Sequence, residues 1–262
     1  MDFLGNIPIS AFAFMAVAAL CAGLIDAIAG GGGLIQLPAL LIGLPGSSTV
    51  QVLGTNKLAA IFGTSAAAVM YRKRAKPDLF LILTMALSAA LGSISGALLA
   101  SYIPTGAMRP LVLVLLIAVG IFTWKRPVLG HVEDMRHGVR QGRFIAIALG
   151  AGIGFYDGIF GPGTGTFLML VLVVVLGFEF LNASAISKIV NVATNAGALF
   201  IFGIHGVILW KVGALLGLAN VTGGALGAKL AIRGGSAFIR KIFLLVTALL
   251  IVKVGVDTFS HW

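Results

Sequence analysis

The chain has 262 residues, of which 59% are hydrophobic and only 10% charged, and its mean hydropathy is +1.10. Soluble domains carry about a quarter charged residues, so this composition excludes an ordinary soluble protein and predicts one integral membrane domain over residues 1–262. The net charge of +10 comes from basic residues that gather between apolar segments, as in membrane proteins, so no nucleic-acid partner is expected.

Five apolar elements are predicted before a central polar stretch. A helix needs about 20 residues to cross a bilayer, and the second element is only half that long. We place the five elements at about Ile7–Ala29, Leu34–Leu44, Val52–Tyr71, Leu79–Tyr102 and Met108–Trp124.

The central stretch, Lys125–Arg143, is hydrophilic and is predicted to be a cytoplasmic linker. Five more apolar elements follow it, and the second of these is again short. The sequence lacks the alternating polarity of barrel strands, so all ten elements are predicted to be helices. We place the second set at about Phe144–Phe160, Thr166–Leu176, Ala185–Ile204, Val207–Ala231 and Ile239–Phe259.

The two sets of elements are copies of each other. An offset of 131 residues aligns repeat 1 (about 7–124) with repeat 2 (about 144–259) without a gap. Many secondary transporters are built from such repeats, with the cargo site between them. The matched residues include Gly23 and Gly154, Asp26 and Asp157, Gly30 and Gly161, Lys57 and Lys188, Gly92 and Gly223, and Gly96 and Gly227.

The basic loops change sides between the copies. The loop after the third element is basic in repeat 1, whereas its counterpart around Gly203–Gly206 has no Lys or Arg. The loop before the fifth element is basic only in repeat 2. This swap predicts inverted repeats with both termini outside and the linker inside, although parallel repeats are the alternative. The basic residues are Arg72, Lys73, Arg74 and Lys76 in repeat 1, with only Arg109 beside Ile103–Met108, and Arg233, Arg240 and Lys241 in repeat 2.

Two glycine-rich breaks, each followed by a short helix, are the strongest local signal. Such breaks at membrane depth are tolerated where they are buried in protein or line a wet cavity. Each short helix begins with free N–H groups and a positive dipole end, which bind anions, although close helix packing would also favour glycine. The candidate anion-binding residues are Gly30, Gly31, Gly32 and Gly33 in the first break and Gly161, Gly163 and Thr164 in the second.

Lys57 and Lys188 occupy matched positions within predicted membrane helices. A lysine at the bilayer centre costs about 3 kcal/mol on insertion scales, so it needs a reason to be there. Neutralising an anionic cargo, together with the adjacent Asn56, is one reason. Snorkelling to a headgroup or pairing with an aspartate are the alternatives.

Asp26 and Asp157 precede the glycine breaks by four residues. A buried carboxylate can carry a proton, so these residues are candidates for proton coupling. Alternatively, each aspartate accepts backbone N–H bonds of the break or pairs with a lysine.

Smaller polar residues lie on the same predicted helices. Asn191, Thr194 and Asn195 share one face with Lys188, and Gln36, Thr64 and Ser65 are candidates in repeat 1. Their amide and hydroxyl donors suit an oxyanion, but they also hold membrane helices together. The four histidines fall in loops or tails, and the one cysteine, Cys21, has no partner, so no metal site is expected.

With these motifs, the chain resembles the TauE/SafE sulfite exporter family, also called the toluene-sulfonate uptake permeases. The resemblance implies bacterial inner-membrane transport of sulfite, sulfonates or related sulfur-containing anions. It rests on residues 23–33, on Thr55-Asn56-Lys57-Leu58, on residues 154–163, and on Ser187-Lys188 with Asn191 and Thr194-Asn195.

The sequence therefore predicts an all-α, multi-pass secondary transporter of a small oxyanion, working by alternating access. Its expected partners are the anion and the lipid bilayer; no cofactor is expected because no ATP-binding motif is present. A channel, a carrier of another small organic anion, an intramembrane enzyme and an assembly factor are the alternatives. We predict that the protein is not an enzyme, because Cys21 lacks a histidine partner at membrane depth. The sequence does not indicate the oligomeric state.

Overall fold

The computed structural model describes residues 7–73, 78–102, 130 and 132–259. Every regular element in these ranges is a helix. The predicted element Met108–Trp124, most of the linker, and Arg74, Lys76 and Arg109 lie outside them. The described helices are α1 (Ile9–Ala29), α2 (Gly33–Gly43), α3 (Thr49–Arg72), α4 (Leu79–Leu99), α5 (Val139–Ile159), α6 (Thr164–Val171), α7 (Phe180–Ile204) and α8 (Trp210–Phe259).

Five of the described helices are long and apolar enough to cross a membrane: α1, α3, α4, α7 and α8. Their outer faces are apolar. On α4, for example, Leu83, Leu87 and Leu91 recur at helical spacing and are more than half exposed. Because such a stripe is stable only against lipid, the chain is a multi-pass membrane protein. The two short helices, α2 and α6, begin at matched positions, Gly33 and Thr164.

Three helices begin a few residues before their approximate predicted positions, and local capping accounts for the first of them. The third element begins at Thr49 rather than Val52, since Ser48 and Gln51 form a capping box with reciprocal bonds of 3.3 and 2.9 Å. Its counterpart begins at Phe180 rather than Ala185. The fifth described helix begins at Val139, so the last residues of the predicted linker are helical.

The last two predicted elements, Val207–Ala231 and Ile239–Phe259, are the two helical segments of α8, which meet at a kink at Gly235, where φ is 68°. The first segment continues beyond the predicted end at Ala231 and includes Arg233, which was predicted to lie in a loop. Arginine is a good helix former outside the bilayer.

At one end of the molecule, α4 and α5 start side by side. Arg143 of α5 donates to the Asp78 carboxylate at 3.1 Å and lies over the Phe80 ring at 4.2 Å. The Arg143 guanidinium and the Phe80 N–H hold the pKa of Asp78 below its ordinary value by bonding its charged form.

The first helix of each half packs on the fourth helix of the other half. In α1 and α8, Gly23 lies against Asn220 and Gly223 lies against Leu20. In α5 and α4, the matched contacts are Gly154 on Ala89 and Gly92 on Ala151. These glycines let the backbones touch, which is how membrane helices associate closely.

The helices run in two directions. In α3 and α8, Leu58 lies beside Gly213 and Phe62 beside Gly217, so the two helices are parallel. Between α3 and α7 the order is reversed. Gly54, near the start of α3, lies beside Phe202, near the end of α7. Tyr71, at the end of α3, and Lys188, in the first half of α7, both donate to backbone carbonyls at the end of α1. Thus α3 and its counterpart α7 are antiparallel.

We expect Gly154→Ala to lower the melting temperature of the detergent-solubilised protein. A Cβ at this position would clash with the Ala89 backbone, and overpacking costs about 1–3 kcal/mol. The matched control is Gly152→Ala, two residues along α5, where a Cβ meets nothing within 4 Å. Equal melting temperatures for the two variants would contradict this account of the crossing.

Candidate functional site

The two glycine breaks meet each other inside the protein. Gly30 has φ +78° and packs directly on Gly165, while Gly33 lies beside Pro162. The Thr166 hydroxyl donates to the carbonyl of Ala29 at 3.3 Å, which ties the second break to the end of α1. Side chains larger than hydrogen at Gly30 would push the breaks apart, so glycine is required there for both conformation and space.

A cavity lies between the breaks, with a volume of about 30 Å³ in which the centre of a water molecule can move. This is room for a few waters or one small ion. Its wall includes the N-terminal ends of both short helices, α2 and α6. Twelve of the fourteen predicted site residues line it: Asp26, Gly31, Gly32, Gly33, Asn56, Lys57, Asp157, Gly161, Gly163, Thr164, Asn191 and Asn195.

Gly30 and Lys188 are the two predicted residues outside the cavity wall. Gly30 is covered by Gly165 and Thr166. Lys188 lies behind Gly165, because a Cβ on that glycine would be 3.3 Å from the Lys188 Nζ. Gly165 itself lines the cavity, whereas Lys188 is not among the residues of its wall.

Lys57 and Asp157 form a buried ion pair that faces the cavity. The Lys57 Nζ lies 2.6 Å from Asp157 Oδ2, and the two side chains are only 3% and 2% exposed. The Thr164 hydroxyl, at the start of α6, donates to the other carboxylate oxygen at 2.7 Å. Asp157 therefore links Lys57 to the second glycine break.

Lys188 and Asp26 form the matched pair, with Nζ and Oδ2 3.0 Å apart. Lys188 is fully buried and also donates to the Asp26 backbone carbonyl at the end of α1, where the helix dipole favours a cation. Asp26 is 16% exposed, and Thr64 approaches its Oδ2 at 3.4 Å. This lysine thus holds the end of α1 as well as neutralising the carboxylate.

The two ion pairs cross between the halves of the chain. The lysine of the first half pairs with the aspartate of the second, and the lysine of the second pairs with the aspartate of the first. The snorkelling alternative is excluded by burial, and pairing with aspartate is the arrangement found. The charges of the two lysines and two aspartates cancel, so an anion can pair with a full positive charge only if a carboxylate is displaced or neutralised.

Amide side chains complete the wall. Asn191 Oδ1 accepts from Asn195 Nδ2 at 3.3 Å, so these two residues brace each other along α7. Gln36 of α2 accepts a bond of 2.8 Å from Asn220 of α8. Thr64 also lines the cavity.

Sequence reasoning did not identify Asn220 or Gly165 as site residues. Asn220 matches Ala89 in the other half, so the repeat gave no signal for it. Its position inside an otherwise apolar helix could have indicated it, because a buried amide needs partners.

Comparison with known proteins gives the family. The model of the family described as "Sulfite exporter TauE/SafE" matches residues 15–254. The chain is 41% identical to "Probable membrane transporter protein ORF9" of Sinorhizobium sp, over 94% of this chain and 92% of that protein. It is 34% identical to "Probable membrane transporter protein YfcA" of Escherichia coli (strain K12), over 93% and 91%. No solved structure matches. The chain belongs to the TauE/SafE sulfite exporter family.

Proposed function

We propose that this protein is a secondary transporter of a small sulfur-containing oxyanion, such as sulfite or a sulfonate. The observation that carries the proposal is the buried Lys57–Asp157 pair, which faces a cavity between the starts of two short helices. Both helix starts and the ammonium attract an anion. Membership of the family and the printed names of its relatives support a transporter rather than an enzyme or an assembly factor.

The charge balance of the cavity suggests how the anion is coupled to a proton. When Asp157 takes up a proton, Lys57 loses its negative partner and attracts an anion instead. The carrier then moves one proton with one negative charge. With a singly charged cargo, such as hydrogen sulfite or a sulfonate, the site carries no net charge when empty or loaded, so it avoids the cost of an uncompensated buried charge in either state.

Cargo size and chemistry follow from the same cavity. A volume of about 30 Å³ favours a small anion over a bulky organic acid. The donors around it, namely the Lys57 ammonium and the amides of Asn191 and Asn195, suit an anion with several acceptor oxygens. Sulfite and small sulfonates meet both conditions. Other small organic anions are the alternative cargo.

We further propose that the halves are inverted repeats that move by alternating access. The antiparallel course of α3 and α7 supports inversion, as does the exchange of matched contacts between halves. A pseudo-two-fold axis in the membrane plane would bring the two breaks together at mid-depth from opposite faces. Rocking one repeat against the other would then open the cavity to each side in turn.

The basic residues support an orientation. Because α3 and the first part of α8 are parallel, Arg72 and Arg233 lie at the same end of the molecule. Arg143 lies near the start of α4, which follows α3 after a short loop, and so belongs to this end too. By the positive-inside rule we place this end, with the linker, on the cytoplasmic side of the bacterial inner membrane.

We expect labelled sulfite to enter proteoliposomes faster when unlabelled sulfite is inside them. A carrier shows this counterflow because the returning site is loaded, whereas a channel does not. An acid-outside pH gradient should also accelerate net uptake, with protein-free liposomes at the same pH as the control. Passive equilibration without counterflow would replace the carrier with the channel alternative.

A further inference from the structure

Gln36 lines the cavity and carries an unpaired hydrogen-bond donor. The residue lies in α2, is 1% exposed and lines the cavity wall. Among the described residues, its Nε2 has no hydrogen-bond partner. Buried donors are normally satisfied, so a bare amide nitrogen at a cavity wall indicates a site for an acceptor atom.

Asn220 fixes the direction of the Gln36 amide. Its Nδ2 donates to the carbonyl of Ala19 at 3.0 Å and to Gln36 Oε1 at 2.8 Å. A backbone carbonyl only accepts, so Asn220 must turn its nitrogen towards Ala19. The same Asn220 nitrogen also donates to Gln36. The atom of Gln36 that faces Asn220 must therefore be the oxygen, and the NH₂ group of Gln36 points away from Asn220.

The neighbourhood keeps Asn220 in place. Gly63 of α3 packs so closely on it that a Cβ at Gly63 would clash with the Asn220 side-chain oxygen. The matched positions in the other half are Phe167 for Gln36 and Ala89 for Asn220. The matched positions therefore carry no amide pair, which shows that the helix packing shared by the two halves does not require one.

We propose that Gln36 is a cargo-binding residue whose NH₂ group donates to an oxygen of the anion, with Asn220 as its positioning residue. This inference rests on the proposed function. Lys57 would neutralise the anion on one side, and Gln36 would bind it from the wall formed by α2. Two such contacts favour an oxyanion with at least two acceptor oxygens. The competing role for Gln36 is only to join α2 to α8 through Asn220.

Gln36→Glu separates the two roles. The carboxylate keeps an acceptor for Asn220, so the helix contact survives, but it replaces the donor with a negative oxygen. We expect the sulfite Kd of the purified full-length protein, measured by titration calorimetry, to rise at least about tenfold. The melting temperature without anion is expected to fall, because the new carboxylate is buried without a charge partner.

The matched control is Gln51→Glu, which makes the same chemical change far from the cavity. Gln51 lies in the capping box of α3, where glutamate serves equally well. It therefore tests whether one added negative charge weakens binding by itself. We expect its sulfite Kd to match that of the wild type.

Asn220→Ala tests the positioning role, because alanine occupies the matched place in the other helix crossing. It should weaken sulfite binding, and adding it to Gln36→Met should weaken binding no further, since residues that act as one unit are not additive. Gln36→Met also replaces Gln36→Glu if the latter does not fold. Additive losses would overturn the link between Asn220 and Gln36.

Two different results would contradict the inference about Gln36 and the proposed function, respectively. If the wild type binds sulfite and Gln36→Glu binds it equally well, Gln36 only joins helices and this inference fails. If the wild type binds none of sulfite, sulfate, methanesulfonate and acetate, the proposed function itself fails, and the inference with it.

Discussion

Asp157→Asn is expected to abolish net sulfite transport and its pH dependence while sulfite exchange continues. An asparagine cannot take up the proton, and Lys57 is left without its carboxylate partner. Removing one member of a buried pair costs about 3–5 kcal/mol, so the empty site is destabilised. The carrier should therefore return only when loaded. Counterflow in proteoliposomes measures exchange, and uptake into empty vesicles measures net transport.

The sign of the pH effect follows from the same scheme. Under the proposed coupling, the wild type binds the anion together with a proton, so sulfite affinity should rise as pH falls. In Asp157→Asn this slope should vanish. The other charged groups near Asp157 are Lys57, Asp26 and, behind Gly165, Lys188. Asp26→Asn is the matched comparison. Asp26 also lines the cavity, but its partner Lys188 does not, so this variant should keep the dependence of sulfite affinity on pH. An unchanged slope in Asp157→Asn would remove Asp157 from coupling.

The second large expected effect is the loss of sulfite binding when both members of the Lys57–Asp157 pair are replaced by uncharged residues. Lys57→Met with Asp157→Asn should insert, fold and melt near the wild type, yet bind no sulfite. Replacing both members of a buried pair is often neutral for stability, whereas removing one member is not. The double variant thus removes the anion's charge partner without leaving a bare carboxylate. Calorimetric titration with sulfite measures the loss.

Lys188→Met with Asp26→Asn is the comparison for this variant. It makes the same changes at the matched positions, but its lysine lies behind Gly165 rather than in the cavity wall. We expect sulfite binding to survive within a few-fold, with a lower melting temperature because the end of α1 loses its cation. Equal loss of binding in both double variants would contradict the assignment of the cargo site to Lys57 alone.

Most of the candidate site could be predicted from residue type and repetition. Four glycines in succession interrupt a membrane helix wherever they occur, and a matched break 131 residues later shows that the interruption is used twice. The same reasoning found Lys57 and Asp157. Repetition did not predict Asn220, because the matched residue in the other half is not polar and the hydrogen-bond partners of Asn220 come from α1 and α2.

Helix ends were less predictable than helix existence. Hydropathy marks the part of a helix that lies in lipid, but helices continue beyond the bilayer until a cap or a glycine ends them. For this reason α5 begins inside the predicted linker and α8 continues past Arg233 to bend at Gly235. The sequence does contain the capping-box residues Ser48 and Gln51, but the predicted start at Val52 was placed by hydropathy alone.

The sequence by itself determined that the chain lies in a membrane, that it is duplicated, and that each copy has a broken helix with a charged pair of residues nearby. Those properties depend on composition and spacing, which are local. Only the tertiary structure decided that each lysine pairs with the aspartate of the other half, and that Lys57 faces the cavity while Lys188 lies behind Gly165. The ion-pair partner of each lysine and its position relative to the cavity depend on how helices that are distant in sequence cross. Those crossings are set by glycines in both halves, where the helix backbones approach closely.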